Sequence, residues 1–118
     1  MSDRSPESYL PLSEAMFHVL VTLADGDKHG YVILKDVAER TAGSVQLSTG
    51  TLYGLIKRLL AEGLIVESRV RPAAAEDDGW RRYYRLTPFG RSVAKAEAAR
   101  LHKLLAAARA ASLLPRRA

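Results

Sequence analysis

Hydroxyl and cationic side chains crowd one short stretch of this 118-residue chain. Ser48, Thr49, Gly50 and Thr51 are contiguous, and Tyr53, Lys57 and Arg58 follow closely. Hydroxyls and backbone N–H groups at a helix start are good ligands for phosphate. Tyr53 and Lys57 are four residues apart, so on a helix they share a face. A second group of cations, Arg69, Arg71, Arg81, Arg82 and Arg85, flanks Tyr83 and Tyr84. Arginines beside aromatic rings suit contact with a polyanionic backbone. Glu76, Asp77 and Asp78 lie between the two arginine groups and oppose that chemistry, so they either point away from the polyanion or keep that tip from contacting it.

Catalytic chemistry is poorly provided for. There is no cysteine, which excludes disulfides and thiolate metal sites. G-x-S-x-G, a Walker loop and metal-ligand spacing are all missing, and His18, His29 and His102 stand singly. Asp25 and Asp27 flank Gly26, which is turn chemistry. The expectation is a protein that is not an enzyme and carries no cofactor or metal. Residues 1–6 lack an apolar signal core and no apolar run is long enough to span a bilayer, so a cytoplasmic protein with no membrane partner is expected. The net charge of +5 divides unevenly: −3 over residues 1–47, +2 over 48–86 and +6 over 87–118. That asymmetry favours a polyanionic partner for the middle and C-terminal parts.

Helices and strands must position these groups. Residues 1–11, with two prolines and several polar residues, read as a flexible arm. Ser13 caps a first helix carrying Phe17, Leu20, Val21 and Ala24. His29-Gly30-Tyr31 opens a second, with Ile33, Leu34 and Val37 apolar, which stops at Gly43. His29 at that start is a capping or packing residue; Tyr31 either fills the core or meets phosphate. Ser48 caps a third helix, with Leu52, Leu55, Ile56 and Leu59 toward the core and Tyr53, Lys57 and Arg58 away from it. The period then changes to two over residues 64–71 and again over 81–86, which makes a hairpin around the loop 72–80. Tyr83 and Tyr84 should point to opposite faces, one buried and one exposed. Trp80 at the hairpin base either packs or lines a pocket. Thr87-Pro88 starts a last helix running to about residue 112, with Arg91, Lys95, His102 and Arg109 on a wet stripe. The fold expected is mainly α with a small β hairpin, a winged helix-turn-helix followed by a C-terminal helix. In that layout the third helix enters the major groove of duplex DNA.

Several motifs in order resemble the PadR-type regulators: His29-Gly30-Tyr31, residues 47–53 (LSTGTLY), 55–59 (LIKRL), 62–65 (EGLI) and 82–90 (RYYRLTPFG). The resemblance covers roughly residues 12–92. Thr49 and Gly54 stand where that family often has proline. The resemblance implies a repressor that binds double-stranded DNA as a homodimer. It carries DNA contacts onto Tyr31, Ser48, Thr49, Gly50, Thr51, Tyr53, Lys57 and the wing cations, of which Arg71, Arg81 and Arg82 join Arg58 as candidates. It also implies dimerisation through the last helix, where Phe89, Val93, Ala96, Leu101, Leu104, Leu105 and Ala108 are the apolar candidates. Some relatives bind a small aromatic or drug-like effector near the dimer interface. The domain plan is thus an arm over 1–11, a DNA-binding unit over 12–86, and a dimerisation helix with a basic tail over 87–118. The alternative is a winged-helix module that binds protein instead of DNA, which would favour apolar residues on the exposed face of the third helix.

Overall fold

A computed structural model of the chain describes residues 4–68 and 82–115. A short 3-10 helix over Pro6–Tyr9 is followed by α1 (Glu14–Leu23), β1 (Lys28–His29), α2 (Gly30–Arg40), α3 (Thr49–Ala61), β2 (Ile65–Ser68), β3 (Tyr83–Leu86) and α4 (Pro88–Ala110). The helix starts follow from their capping residues. Ser13 Oγ accepts the Met16 N–H at 3.1 Å, Ser48 Oγ accepts that of Thr51 at 3.0 Å, and Thr87 Oγ1 accepts that of Gly90 at 2.8 Å. Each satisfies a donor that the first turn of a helix leaves unpaired.

The sheet has three antiparallel strands in the order β1-β3-β2. β1 is a two-residue strand that the sequence pattern did not reveal, and it changes the fate of the two tyrosines. Tyr83 pairs with His29 and Tyr84 with Lys28, while Ser68 and Glu67 face them from β2. Tyr84 enters the main core at 3% exposure, as alternation predicts for one of the pair. Tyr83, on the opposite face, is also buried at 5%, because the His29 ring stands edge-on to it at 5.3 Å. The expectation of one exposed tyrosine is therefore corrected: the third strand covers the second face.

Among the described residues fourteen side chains make the core, from Met16, Val19, Leu20 and Leu23 of α1 through Ile33, Val37, Leu52, Ile56 and Leu59 to Leu64, Ile65, Tyr84, Leu86 and Val93. α4 starts pressed against the α3–β2 junction. Thr87 Oγ1 donates to the carbonyl of Gly63 at 2.7 Å, and a Cβ on Gly90 would sit 1.9 Å from the Leu64 carbonyl oxygen. Only glycine permits that approach. Among the described residues every buried side-chain nitrogen and oxygen has a hydrogen-bond partner. The segment before α1, read as an arm, holds the 3-10 helix, whose Tyr9 ring packs edge-on against Phe89 at 5.5 Å. No described helix is long and apolar enough to cross a membrane.

One charged group of α4 is buried. Glu97 is 2% exposed, and its carboxylate accepts from Arg100 Nε at 2.7 Å and Nη2 at 2.8 Å. The Arg100 hydrogen bonds and charge hold the carboxyl below its ordinary value of 4.5; burial opposes them, and the Leu12 backbone N–H adds to them. A carboxyl whose pKa is lowered by folding stabilises the fold above its unfolded value, and that contribution is lost as the pH falls through the folded value. Glu97→Gln should therefore melt lower than the parent at pH 7, with the gap narrowing as the pH drops below 4.5. Thermal melts between pH 7 and pH 3 check this; a gap that stays constant excludes it.

Candidate nucleic-acid interface

α3 has two chemically distinct sides. Leu52, Ile56 and Leu59 are buried to 2% exposure or less. Thr49, Gly50, Thr51, Tyr53, Gly54, Lys57 and Arg58 all face solvent. Thr49 and Gly50 occupy the first two helical positions, whose N–H groups have no partner inside a helix. Ser48 first serves the helix itself: its oxygen takes the Thr51 N–H, and its hydroxyl donates to Thr51 Oγ1 at 2.9 Å. An exposed helix start with hydroxyls, two partly positive N–H groups and cations about two turns further on is a surface for anionic oxygen.

The second helix brings its own start to the same place. The Tyr53 ring lies across Gly30, so closely that a Cβ there would fall 2.2 Å from the Tyr53 hydroxyl. Tyr53 is 45% exposed, and Tyr31, one residue after Gly30, is 61% exposed. The Tyr31 ring is nearly parallel to that of His29, at 6.5 Å between centroids and 18° between planes. The first turns of α2 and α3 therefore meet, with two tyrosines and the α3 hydroxyls on one side. This is the reason for glycine in His29-Gly30-Tyr31, and the spacing alone gave no sign of it. His29 occupies the cap position of α2, but its ring serves as packing against Tyr83.

The wing cations divide. Arg82 is exposed and lies 3.3 Å from Glu67. Arg85 instead turns to Asp27, with Nη2 at 3.1 Å from Oδ2 and Nε at 3.3 Å from Oδ1. Ser68 hydrogen-bonds the same carboxylate. Burial would raise the Asp27 pKa, yet the Ser68 and Arg85 hydrogen bonds together with the Arg85 charge hold it below the usual range. Asp27 thus ties both hairpin strands to the α1–β1 turn. In the sequence Asp25-Gly26-Asp27 signals only turn chemistry, because nothing local links Asp27 to an arginine 58 positions away. Arg69, Arg71, Trp80, Arg81 and the acidic run Glu76-Asp77-Asp78 lie outside the described residues.

The apolar candidates on α4 fall into two groups. Val93 is fully buried in the core, Phe89 packs on Tyr9, and Ala96 is half-buried; all three lie in the half of α4 that packs on its own chain. Leu101, Leu104 and Leu105 are 38%, 54% and 41% exposed, and Ala108 lies on the same stripe. Two clefts open between α1 and α4. One of about 480 Å³ is lined by Leu12, Phe17, His18, Glu97 and Leu101; the other, of about 190 Å³, is almost wholly apolar between Phe17, Val21, Ala94 and Ala98. Among the described residues no His, Cys, Asp or Glu cluster could hold a metal ion.

Three helices, a three-stranded sheet and an exposed polar third helix define a winged helix-turn-helix protein. The sequence model of the transcriptional regulator PadR-like family matches residues 19–96, and the chain belongs to that family. It is 38% identical over 76 residues to the transcriptional regulator Rv3488 of Mycobacterium tuberculosis, covering 64% of each chain. A PadR family transcription regulator from Clostridium difficile superposes with a TM-score of 0.67 at 27% identity, over 80% of this chain and 94% of that one. A Lactococcus lactis ZitR variant in complex with DNA has the same fold, with a TM-score of 0.59 at 23% identity, over 92% of this chain and 66% of that one. The chain spans 24%, 65% and 64% of the length of the curated relatives it matches. Family membership sets it among transcriptional regulators and not among enzymes.

The Gly30–Tyr53 contact predicts an interaction between two substitutions. Gly30→Ala should destabilise the protein by about 1–3 kcal/mol through overpacking. In a Tyr53→Ala background the same change should cost little, since the ring it meets is gone. Urea unfolding of the four proteins measures the coupling, and equal costs in both backgrounds would refute the contact.

Proposed function

We propose that this chain is a sequence-specific DNA-binding transcriptional regulator that acts as a homodimer. The observation that carries the reading is the split of α3, apolar on its buried side and hydroxyl-rich and cationic on its exposed side. A protein-binding wing would favour apolar groups on that exposed side. In this reading residues 12–86 contact the DNA and residues 87–118 pair with a second copy. The α3 start enters the major groove, with Thr49, Thr51 and Tyr53 toward base edges. Ser48, Gly50, Tyr31, Lys57, Arg58 and the wing arginines 71, 81 and 82 serve the backbone. The DNA complex of ZitR supports the fold's fitness for this role.

Pairing through α4 is supported by Leu101, Leu104 and Leu105, which an isolated chain leaves exposed, with the half-buried Ala108 on the same stripe. Phe89, Val93 and Ala96 then anchor each α4 to its own protomer, behind the contact. A two-fold dimer places two α3 helices about 34 Å apart, so the operator is an inverted repeat. Repression follows from occluding a promoter. A small aromatic or drug-like effector seated in the clefts between α1 and α4 would release the DNA by favouring a dimer with its α3 helices wrongly spaced.

The first test is titration against a selected duplex and against bulk DNA at two salt concentrations. Specific binding that survives competitor supports the reading; no binding at either salt returns the protein-interaction alternative. Arg58→Ala should weaken binding to all sequences alike and reduce the salt slope by about one. A change of sequence preference without loss of affinity would overturn the role given to Arg58. Leu104→Glu should convert the dimer to monomer in sedimentation, and a dimer that persists would refute the α4 interface.

A further inference from the structure

One side chain near the start of the chain joins the end of α3 to the root of α4. Arg4 Nη1 donates to the carbonyl oxygen of Glu62 at 2.8 Å. Glu62 is the C-terminal cap of α3, where a helix carries partial negative charge. The same guanidinium lies 4.5 Å from the ring centroid of Phe89 and 5.6 Å from that of Tyr9. Phe89 belongs to the first turn of α4, and Tyr9 closes the 3-10 helix. One cation therefore fastens the end of α3, the root of α4 and the N-terminal segment together.

We propose that Arg4 is a positioning residue for DNA binding, one that sets the pose of α3 against α4 without touching DNA. The inference rests on the reading of α3 as the DNA-contacting helix. The buried row Leu52, Ile56 and Leu59 fixes the rotation of α3 about its axis but leaves the C-terminal end of the helix free to tilt. A tie at its C-terminal cap removes this freedom, and the same tie joins the helix to α4. The guanidinium suits the task because its flat face covers an aromatic ring while its edge donates to a carbonyl. Lysine keeps the charge and the hydrogen bond but has no flat face to lay on Phe89. The hydroxyl-bearing start of α3 lies at the opposite end of the helix, roughly 20 Å from Glu62. Arg4 thus acts on that start only through the helix itself.

The test uses the full chain and the duplex that the wild-type protein selects from a random DNA pool. At a temperature where both proteins are fully folded, Arg4→Ala should bind that duplex about fivefold to tenfold more weakly. The slope of log affinity against log salt should stay at the wild-type value, and amide exchange in the last turn of α3 should quicken. Arg4→Lys should recover only part of the affinity. Unchanged affinity overturns the proposal. So does a salt slope shallower by about one, which marks a direct phosphate contact, and so does full recovery by lysine, which would reduce the effect to charge. If the wild-type protein itself selects no duplex, the DNA-binding reading fails and this inference falls with it. A wild type that binds beside an Arg4→Ala variant that binds equally well refutes the positioning role alone.

Discussion

The row Leu52, Ile56 and Leu59 is the constraint on which the rest depends. These three side chains are removed from water within the core, and a row at that spacing fixes the rotation of α3 about its own axis. Once the rotation is set, no further choice remains about which residues face outward. Tyr53 must lie toward Gly30, and Lys57 and Arg58 must lie in solvent. Burying each leucine is worth roughly 1.5–3 kcal/mol, whereas an exposed lysine or threonine contributes little to the fold. Stability and the exposed polar chemistry therefore occupy opposite sides of one helix, and substitutions on the outer side can change that chemistry at small cost to the core.

α4 is divided along its length in the same way that α3 is divided around its circumference. Its first three turns are built into the protomer through Gly90, Val93 and the Glu97 carboxylate. Arg100 closes that part, exposed enough to see water and close enough to neutralise Glu97. Beyond it the helix carries Leu101, Leu104 and Leu105 with little cover from its own chain. A buried acid at such a border costs desolvation unless it is paired, and the bidentate arginine three residues on supplies the pair.

Much of this was legible in the sequence where the signal is local. Ser13, Ser48 and Thr87 each announced a helix start through a hydroxyl at the right place, and each accepts the N–H it should. The apolar row of α3 and its polar counterpart were readable from a 3.6-residue period. Legibility failed where a partner is distant in sequence. β1 is two residues long and has no period of its own; it exists because β3 offers an edge. Its presence buried Tyr83, which alternation alone would have left in water. Asp27 met Arg85 across 58 positions, and Arg4 met Glu62 across the same span. Glu97 looked like one polar residue in an alanine-rich helix until the Leu12 backbone and Arg100 enclosed it.

The seam between Gly90 and the Leu64 carbonyl has a mechanical meaning. It is a pivot with no slack, because no side chain fits between the two backbones. From that pivot α4 extends as a rod of about 35 Å at 1.5 Å per residue. A tilt of about 5° at the seam would carry the far tip roughly 3 Å, more than half the rise of a helical turn. Whatever repacks the few residues around the pivot is thus geared up at the tip. Related chains could reposition the far tip of α4 by altering this joint alone, leaving both α3 and the rod as they are.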